Sequence, residues 1–267
     1  MLQKIIAKLT RKQNVFKFHY TGEFSSWEEV MNEAKGYDAD EIFSKTCEAA
    51  LNVKNGKAAF ERDSVLFPHF IYSWPIVSIL QHTAIKKNGI LNVLDFGGSL
   101  GSSFFQHQFF LKEINSLQWK IVELPNIVEF GKINFENNIL SFHHTIDEAE
   151  QKNKTDILFS SGTFQYLPQP FIFIEDICNK NFPFLLFDRI ALVQHEKEIL
   201  TLQKIEKDIY EASYPAWFFN EVDFIKKIEE KGYVLQSSFD SYCDKAMLTL
   251  EKKQVYWKGF YFTKTDE

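Results

Sequence analysis

The chain has 267 residues, 45% of them apolar and 25% charged, enough for one substantial core or a core with an extension. A net charge of −6 argues against a protein whose main task is to coat nucleic acid. Cys47, Cys178 and Cys243 stand far apart with no CxxC pair, which argues against a disulfide frame and a zinc site; no apolar run approaches membrane-spanning length.

Residues 1–88 read as mainly helical, an extension or cap on a second unit at 89–267. In Met1–Lys12, Leu2, Ile5, Ile6 and Leu9 share one helical face among Lys4, Lys8, Arg11 and Lys12. The apolar stretch is too short for a cleaved signal peptide. A docked or frayed terminal helix is the expectation; weak contact with an anionic membrane surface is the alternative. Ser25-Ser26-Trp27-Glu28-Glu29 reads as an N-cap followed by acidic first-turn residues. Gly36-Tyr37-Asp38 stops that helix, and a helical pattern resumes over Ala39–Val53. Asn55-Gly56 marks a turn. Phe60-Glu61-Arg62-Asp63 comes next, then an aromatic segment, Phe67–Trp74, and a helix toward Lys87. The 28 phenylalanines point to a bulky aromatic core.

From Gly89 the texture changes. Ile90–Phe96 is a short apolar run closing on a carboxylate and glycines, the pattern of a buried strand entering a turn. Ser102–Ile114 reads as a helix, Trp119–Glu123 as a strand, Asn126–Asn138 as a helix and Ser141–Thr145 as a short strand. Asp156–Ser160 and Phe184–Asp188 are further strands. Tyr233–Phe239 and Trp257–Phe262 are expected to form an antiparallel pair on the sheet edge. Strands alternating with helices at this spacing predict an α/β fold with a mostly parallel, Rossmann-like sheet.

Ligands of open α/β sheets bind outside the carboxyl ends of the strands. There the chain reads Asp95-Phe96-Gly97-Gly98-Ser99-Leu100-Gly101. The glycines allow a tight turn and close approach of backbone to a ligand, and the helix opening at Ser102 aims its free N–H groups at the same place. The spacing is not the GxGxxG of a pyrophosphate site. It is nearer D-x-G-x-G-x-G, with Ser99 where the middle glycine stands. Asp95 disfavours a phosphate and suits the positively charged sulfonium and amino groups of S-adenosylmethionine. Glu123, 22 positions after Gly101 at the end of the next strand, suits a pair of ribose hydroxyls. A strand–helix connection without a ligand is the competing explanation. Asp147 is read either as a partner of an adenine amino group or as a first-turn helix acid. Ser160 and Ser161, followed by Gly162-Thr163-Phe164-Gln165-Tyr166, are placed to meet donor or acceptor; a plain capped connection is the alternative.

These residues also resemble a bacterial family of class I S-adenosylmethionine-dependent methyltransferases associated with surface-polysaccharide synthesis. The resemblance is carried by Val93–Ser103, by Phe159-Ser160-Ser161 leading to Gln165-Tyr166-Leu167, by Asp188-Arg189 and by Ile209–Pro215. Trp27-Glu28-Glu29, Gly36-Tyr37-Asp38 and Glu61-Arg62-Asp63 carry it in the N-terminal part. The family's activity is assigned largely from its cofactor motif, and its association implies a sugar-containing acceptor. The chain departs from the expected pattern at Leu124, where glutamine is expected, and at Ile190-Ala191, where Thr-Pro is expected.

A hydroxyl acceptor benefits from a general base, and histidine is the usual one near neutral pH. His195, after a strand's carboxyl end, and His69, in the extension, are the candidate catalytic residues. His143 and His144 alternate along a strand and cannot both enter one site. Arg189 is read either as an anchor for an anionic acceptor or as an ion-pair partner of Asp188 or Asp63. Gln165, Tyr166 and Tyr214 are candidate acceptor contacts, and Tyr210, Tyr214 and Trp217 form a candidate stacking wall. No compact ligand cluster suggests a metal. The sequence therefore leads to a cytoplasmic methyltransferase using S-adenosylmethionine on a small-molecule or glycan acceptor, with O-methylation of a sugar the expected reaction. A catalytically inactive binding or scaffold protein in a glycan pathway is the alternative. Oligomeric state and the identity of the acceptor stay open.

Overall fold

The computed structural model describes residues 19–34, 39–205, 212–241 and 253–265. The expected helix at Met1–Lys12, the stop at Gly36-Tyr37-Asp38, the segment Ile209–Glu211 with Tyr210, and Cys243 lie outside the described residues.

The fold is α/β. Strand β1 (His19–Phe24) leads to helices α1 (Trp27–Glu33) and α2 (Ala39–Lys54). Ser26 caps α1, its hydroxyl accepting from the Glu29 N–H at 3.2 Å. A hairpin of β2 (Phe60–Arg62) and β3 (Val65–Phe67) precedes α3 (Trp74–Lys86). Then strands and helices alternate: β4 (Ile90–Phe96), α4 (Ser102–Leu111), β5 (Ser116–Val122), α5 (Pro125–Asn134), β6 (Leu140–His143), α6 (Ile146–Ala149), β7 (Ile157–Ser161), α7 (Pro170–Asn179) and β8 (Phe184–Val193). The chain closes through β9 (Ile199–Lys204), β10 (Ser213–Phe218), α8 (Glu221–Glu229), β11 (Tyr233–Asp240) and β12 (Val255–Lys264).

Seven strands form the central sheet in the order β11-β12-β8-β7-β4-β5-β6. Strands β4 to β8 pair in parallel, while β12 runs antiparallel to both β8 and β11. The edge pair expected from the sequence is present, with β12 inside and β11 outermost. From β4 the chain builds outward through β5 and β6, then returns to add β7 and β8 on the other side. The switch between β4 and β7 opens a crevice at the strands' carboxyl ends, where such sheets bind ligands.

Both faces of the parallel part of this sheet are covered, so β4, β7 and β8 read as mainly apolar runs. Val93, Trp119, Phe142 and Phe159 pack on one face with α2, α3, α4 and α5. Their neighbours Leu94, Val122, Leu158 and Phe187 pack on the other with α6, α7 and α8.

A second, three-stranded antiparallel sheet in the order β1-β9-β10 was not anticipated, and the N-terminal stretch is correspondingly not wholly helical. Val30 of α1 packs against Leu200 and Leu202 on its inner strand. Pro215 is accommodated because β10 is an edge, where a missing N–H breaks no inner ladder. Within β8, Asp188 and Arg189 together face Gly259 of β12; Arg189 has φ +54, and the bulge turns its side chain toward the crevice.

Candidate functional site

The end of β4 turns sharply. Gly97 has φ +71 and Gly101 φ +97, and Ser99 holds the left-handed region at φ +52 without being glycine. The two adjoining glycines are needed for space. A Cβ on Gly97 would strike the Thr163 side chain, and one on Gly98 would lie 2.5 Å from the Asp95 carboxyl. Gly101 forms the left-handed N-cap of α4 and stands outside the cavity wall.

Two carboxylates flank this turn. Asp95 is buried, its Oδ2 accepting from the indole N–H of Trp119 at 2.9 Å. Burial pushes its carboxyl up to about 7; the Trp119 hydrogen bond opposes that shift and nearby Glu123 adds to it. Glu123, one residue past β5, is half-buried. Its Oε1 accepts from the Ser99 N–H at 3.2 Å and its Oε2 from the Leu124 N–H at 2.7 Å. Burial also raises its carboxyl, against those two bonds.

A third carboxylate escaped the sequence reading. The β2–β3 hairpin turns on Asp63 (φ 51) and Ser64 (φ 66), the two-residue geometry that matches the twist of paired strands. It carries buried Glu61 to the opening of α4, where one oxygen accepts from the Ser102 hydroxyl and the other from the Ser64 N–H at 3.1 Å. Burial pushes this carboxyl up to about 7 as well. Its only sequence signal was its place in Glu61-Arg62-Asp63.

These groups open onto one cavity of about 640 Å³, a volume typical of small-molecule and cofactor sites. Asp95, Gly97, Gly98, Ser99, Glu123 and Ser161 line it, with Gln165, Tyr166, Arg189 and Tyr214. Glu61, Tyr20 and Gln203 join them, the last two from the unanticipated sheet. Arg189 is committed within the protein: Nε donates to Ser161 Oγ at 3.0 Å, Nη2 to the Ser161 carbonyl at 3.1 Å, and Nη1 pairs with Asp63 at 2.9 Å. Of its two expected ion-pair partners, Asp63 is the one engaged. Asp188 instead accepts from the hydroxyls of Ser161 and Ser241, each at 2.8 Å.

Other candidates lie elsewhere. His69 is exposed and outside the cavity wall. His195 is exposed on the β8–β9 connection, its Nδ1 occupied by residue 197 of the same turn. Neither lines the cavity. Asp147 stands in the first turn of α6 and pairs with Lys180, its side chain 85% exposed, so it does not reach the cavity. Ser160 is fully buried and donates to the Phe96 carbonyl at 2.9 Å, tying β7 to β4; the strand's alternation gives the cavity to Ser161. His144 lines the cavity and lies 3.2 Å from Glu129, whereas His143 does not line it. His107 is structural: Nδ1 donates to the Ser103 carbonyl, Nε2 accepts from the Ser73 N–H, and burial depresses its pKa to about 4. Trp217 donates to the Leu167 carbonyl and stands outside the cavity wall. Among the described residues no group of histidines, cysteines and acids is placed to hold a metal, and no helix is long and apolar enough to cross a membrane.

No protein-family model matches the chain, and no curated protein does. Among solved structures, the chain is similar to the Burkholderia thailandensis 1,6-didemethyltoxoflavin-N1-methyltransferase with bound 1,6-didemethyltoxoflavin and S-adenosylhomocysteine. The identity is 14%, over 92% of this chain and 93% of that one, with a TM-score of 0.49. It is also similar to the magnesium protoporphyrin IX methyltransferase of Synechocystis PCC 6803 with bound S-adenosylmethionine, at 10% identity over 92% and 100% of the two chains and a TM-score of 0.49.

Proposed function

We propose that the chain is an S-adenosylmethionine-dependent methyltransferase that O-methylates a sugar or surface-glycan precursor. The observation that carries this reading is the carboxyl of Asp95, buried against side-chain-free Gly98 in the cavity wall. A buried carboxylate without a paired cation is costly. Here it sits against a backbone cradle that leaves room for a ligand, and a cationic ligand compensates it. A phosphate would be repelled.

The residues fit this cofactor at two further points. Glu123 uses one lone pair of each oxygen on a backbone N–H, and each oxygen keeps capacity for a ribose hydroxyl. Gly97, Gly98, Ser99 and Ser161 bring small groups to the wall where the cofactor's backbone-facing edge would lie. When bound, S-adenosylmethionine supplies a methyl group on a sulfonium. The chain's own residues supply charge at Asp95, a hydrogen-bonding carboxylate at Glu123, and acceptor positioning from Gln165, Tyr166 and Tyr214. The sugar acceptor is supported by the polar-aromatic character of that wall and by the sequence resemblance.

Calorimetric titration with S-adenosylhomocysteine tests the cofactor. Micromolar binding is expected, weakened at least tenfold in Glu123→Ala. A folded sample that takes up no ligand at millimolar concentration would sink the proposal. Labelled methyl transfer to a panel of free sugars and nucleotide sugars then tests the acceptor class.

A further inference from the structure

We infer that the side of the cavity formed by the three-stranded sheet is a subsite for an uncharged, hydroxyl-bearing ring, which rests on and deepens the acceptor reading above. The registers of β1 with β9 and of β10 with β9 place Tyr20 and Tyr214 on either side of Gln203, so the three form one row across the sheet. Directly opposed residues on neighbouring strands share a face, and all three side chains line the cavity. Tyr166 completes the row from below: its hydroxyl donates to Gln203 Oε1 at 2.9 Å, and its ring meets that of Tyr214 edge-on at 5.4 Å.

Beside them stands a polar atom that points to a ligand. Gln165 lines the cavity and is only 6% exposed, and its side-chain oxygen is buried with no hydrogen-bond partner among the described residues. Such an oxygen destabilises the site until a donor reaches it. The ligand therefore brings a donor.

The charge of that ligand follows from the wall. Among the described residues this side is built from Tyr20, Gln165, Tyr166, Leu167, Gln203 and Tyr214, with no lysine, arginine, histidine or acid among them. Arg189, the cation that a sequence reading offers to an anionic acceptor, is spent on Ser161 and Asp63. Among the described residues of this wall, an anion would find no cation to compensate its desolvation. Tyrosine hydroxyls and glutamine amides both donate and accept, which matches hydroxyl groups that do the same. The tyrosine rings also offer flat apolar area to the C–H faces of a saturated ring.

The test uses the full chain and saturation-transfer NMR with methyl α-D-glucopyranoside, methyl α-D-galactopyranoside and methyl α-L-rhamnopyranoside, against glucose 6-phosphate and glucuronate. Spectra are taken with and without S-adenosylhomocysteine. At least one neutral glycoside is expected to show transfer, and the two anions none. Gln203→Leu should weaken that glycoside at least fivefold while S-adenosylhomocysteine affinity holds. Tyr214→Phe, which removes one hydroxyl from a retained ring, should weaken it at least twofold and guards against a Gln203→Leu chain that does not fold. Preference for the anions, silence from all three glycosides, or variants that bind them as wild type does would each overturn the inference. Loss of S-adenosylhomocysteine binding alone would count against the cofactor and leave a variant-sensitive glycoside signal standing.

Discussion

Gly98 has no side chain, and the carboxyl of Asp95 lies where one would be. Gly98→Ala must therefore displace either the carboxyl or the turn. We expect a loss of at least tenfold in S-adenosylhomocysteine affinity, with overpacking costing about 1–3 kcal/mol of stability, read by calorimetry and denaturant melts. Asp95 itself couples stability and binding in opposite senses. Burial raises its carboxyl to about 7, as it does that of Glu61. In the unfolded chain such groups ionise near pH 4. Between roughly pH 4 and 7 the folded state holds protons that the unfolded state has released, so their contribution to stability falls as pH rises through that window and is level above it. His107, depressed to about 4, contributes in the other sense: the unfolded state binds its proton first, so stability rises with pH up to about 6.5. The clean measurement is a difference between variant and wild type. Asp95→Asn keeps an oxygen for the Trp119 indole and removes the charge. Its melting temperature relative to wild type should climb between pH 5 and pH 8, by an amount equivalent to about 1–3 kcal/mol, while its affinity for S-adenosylhomocysteine drops at least tenfold. A variant whose relative stability is flat over that range would show that Asp95 does not titrate there.

The strands β4, β5, β7 and β8 were legible because each is a short, mainly apolar run bounded by turn signals, and the β11–β12 pair because two strand-like runs lie close in sequence. The sheet β1-β9-β10 was not. Tyr20 pairs with Gln203 from the far end of the chain, Gly22 interrupts β1, and Pro215 sits within β10. Each of these features demotes a strand when read alone; they are tolerated here because β1 and β10 are edges. The β2–β3 hairpin was hidden for a different reason: its turn is Asp63-Ser64, with a serine where glycine is the usual signal. Local propensity also misleads at Gly131 inside α5. Propensity alone says that alanine there should stabilise the helix by about 1 kcal/mol. A Cβ would instead lie 2.5 Å from the ring of buried Phe142, where α5 meets β6. Overpacking of a closed core costs about 1–3 kcal/mol, so packing wins. Gly131→Ala should lower the denaturation midpoint with an unchanged denaturant slope; a raised midpoint would mean that the α5–β6 contact is looser than the structure has it.

At the scale of the whole molecule, the cavity belongs to no single segment. Tyr20 comes from β1, Glu61 from the hairpin, Asp95 from β4, Glu123 from the end of β5, Ser161 from β7, Arg189 from β8 and Tyr214 from β10. The cofactor half was readable because Asp95, the glycines and Glu123 sit on two successive βα units with regular spacing. Glu61, Tyr20 and Gln203 were not, since only the tertiary fold gathers them. The same dispersion makes ligand binding a global property. An unfolded chain presents no part of this site, so a ligand binding only the folded state adds RT ln(1 + [L]/Kd) to stability, about 2.7 kcal/mol at a hundredfold excess over Kd. For a chain of this size that is a rise of roughly 5–10 °C in melting temperature. S-adenosylhomocysteine should produce it in the wild type. At the same ligand concentration, Gly98→Ala and Asp95→Asn should show less than half of it, although Asp95→Asn at pH 8 begins from a melting temperature no lower than wild type. That combination separates a lost binding group from a damaged fold. A wild-type protein whose melting temperature ignores millimolar S-adenosylhomocysteine would leave the buried carboxyl of Asp95 without its cation, and the proposed activity with it.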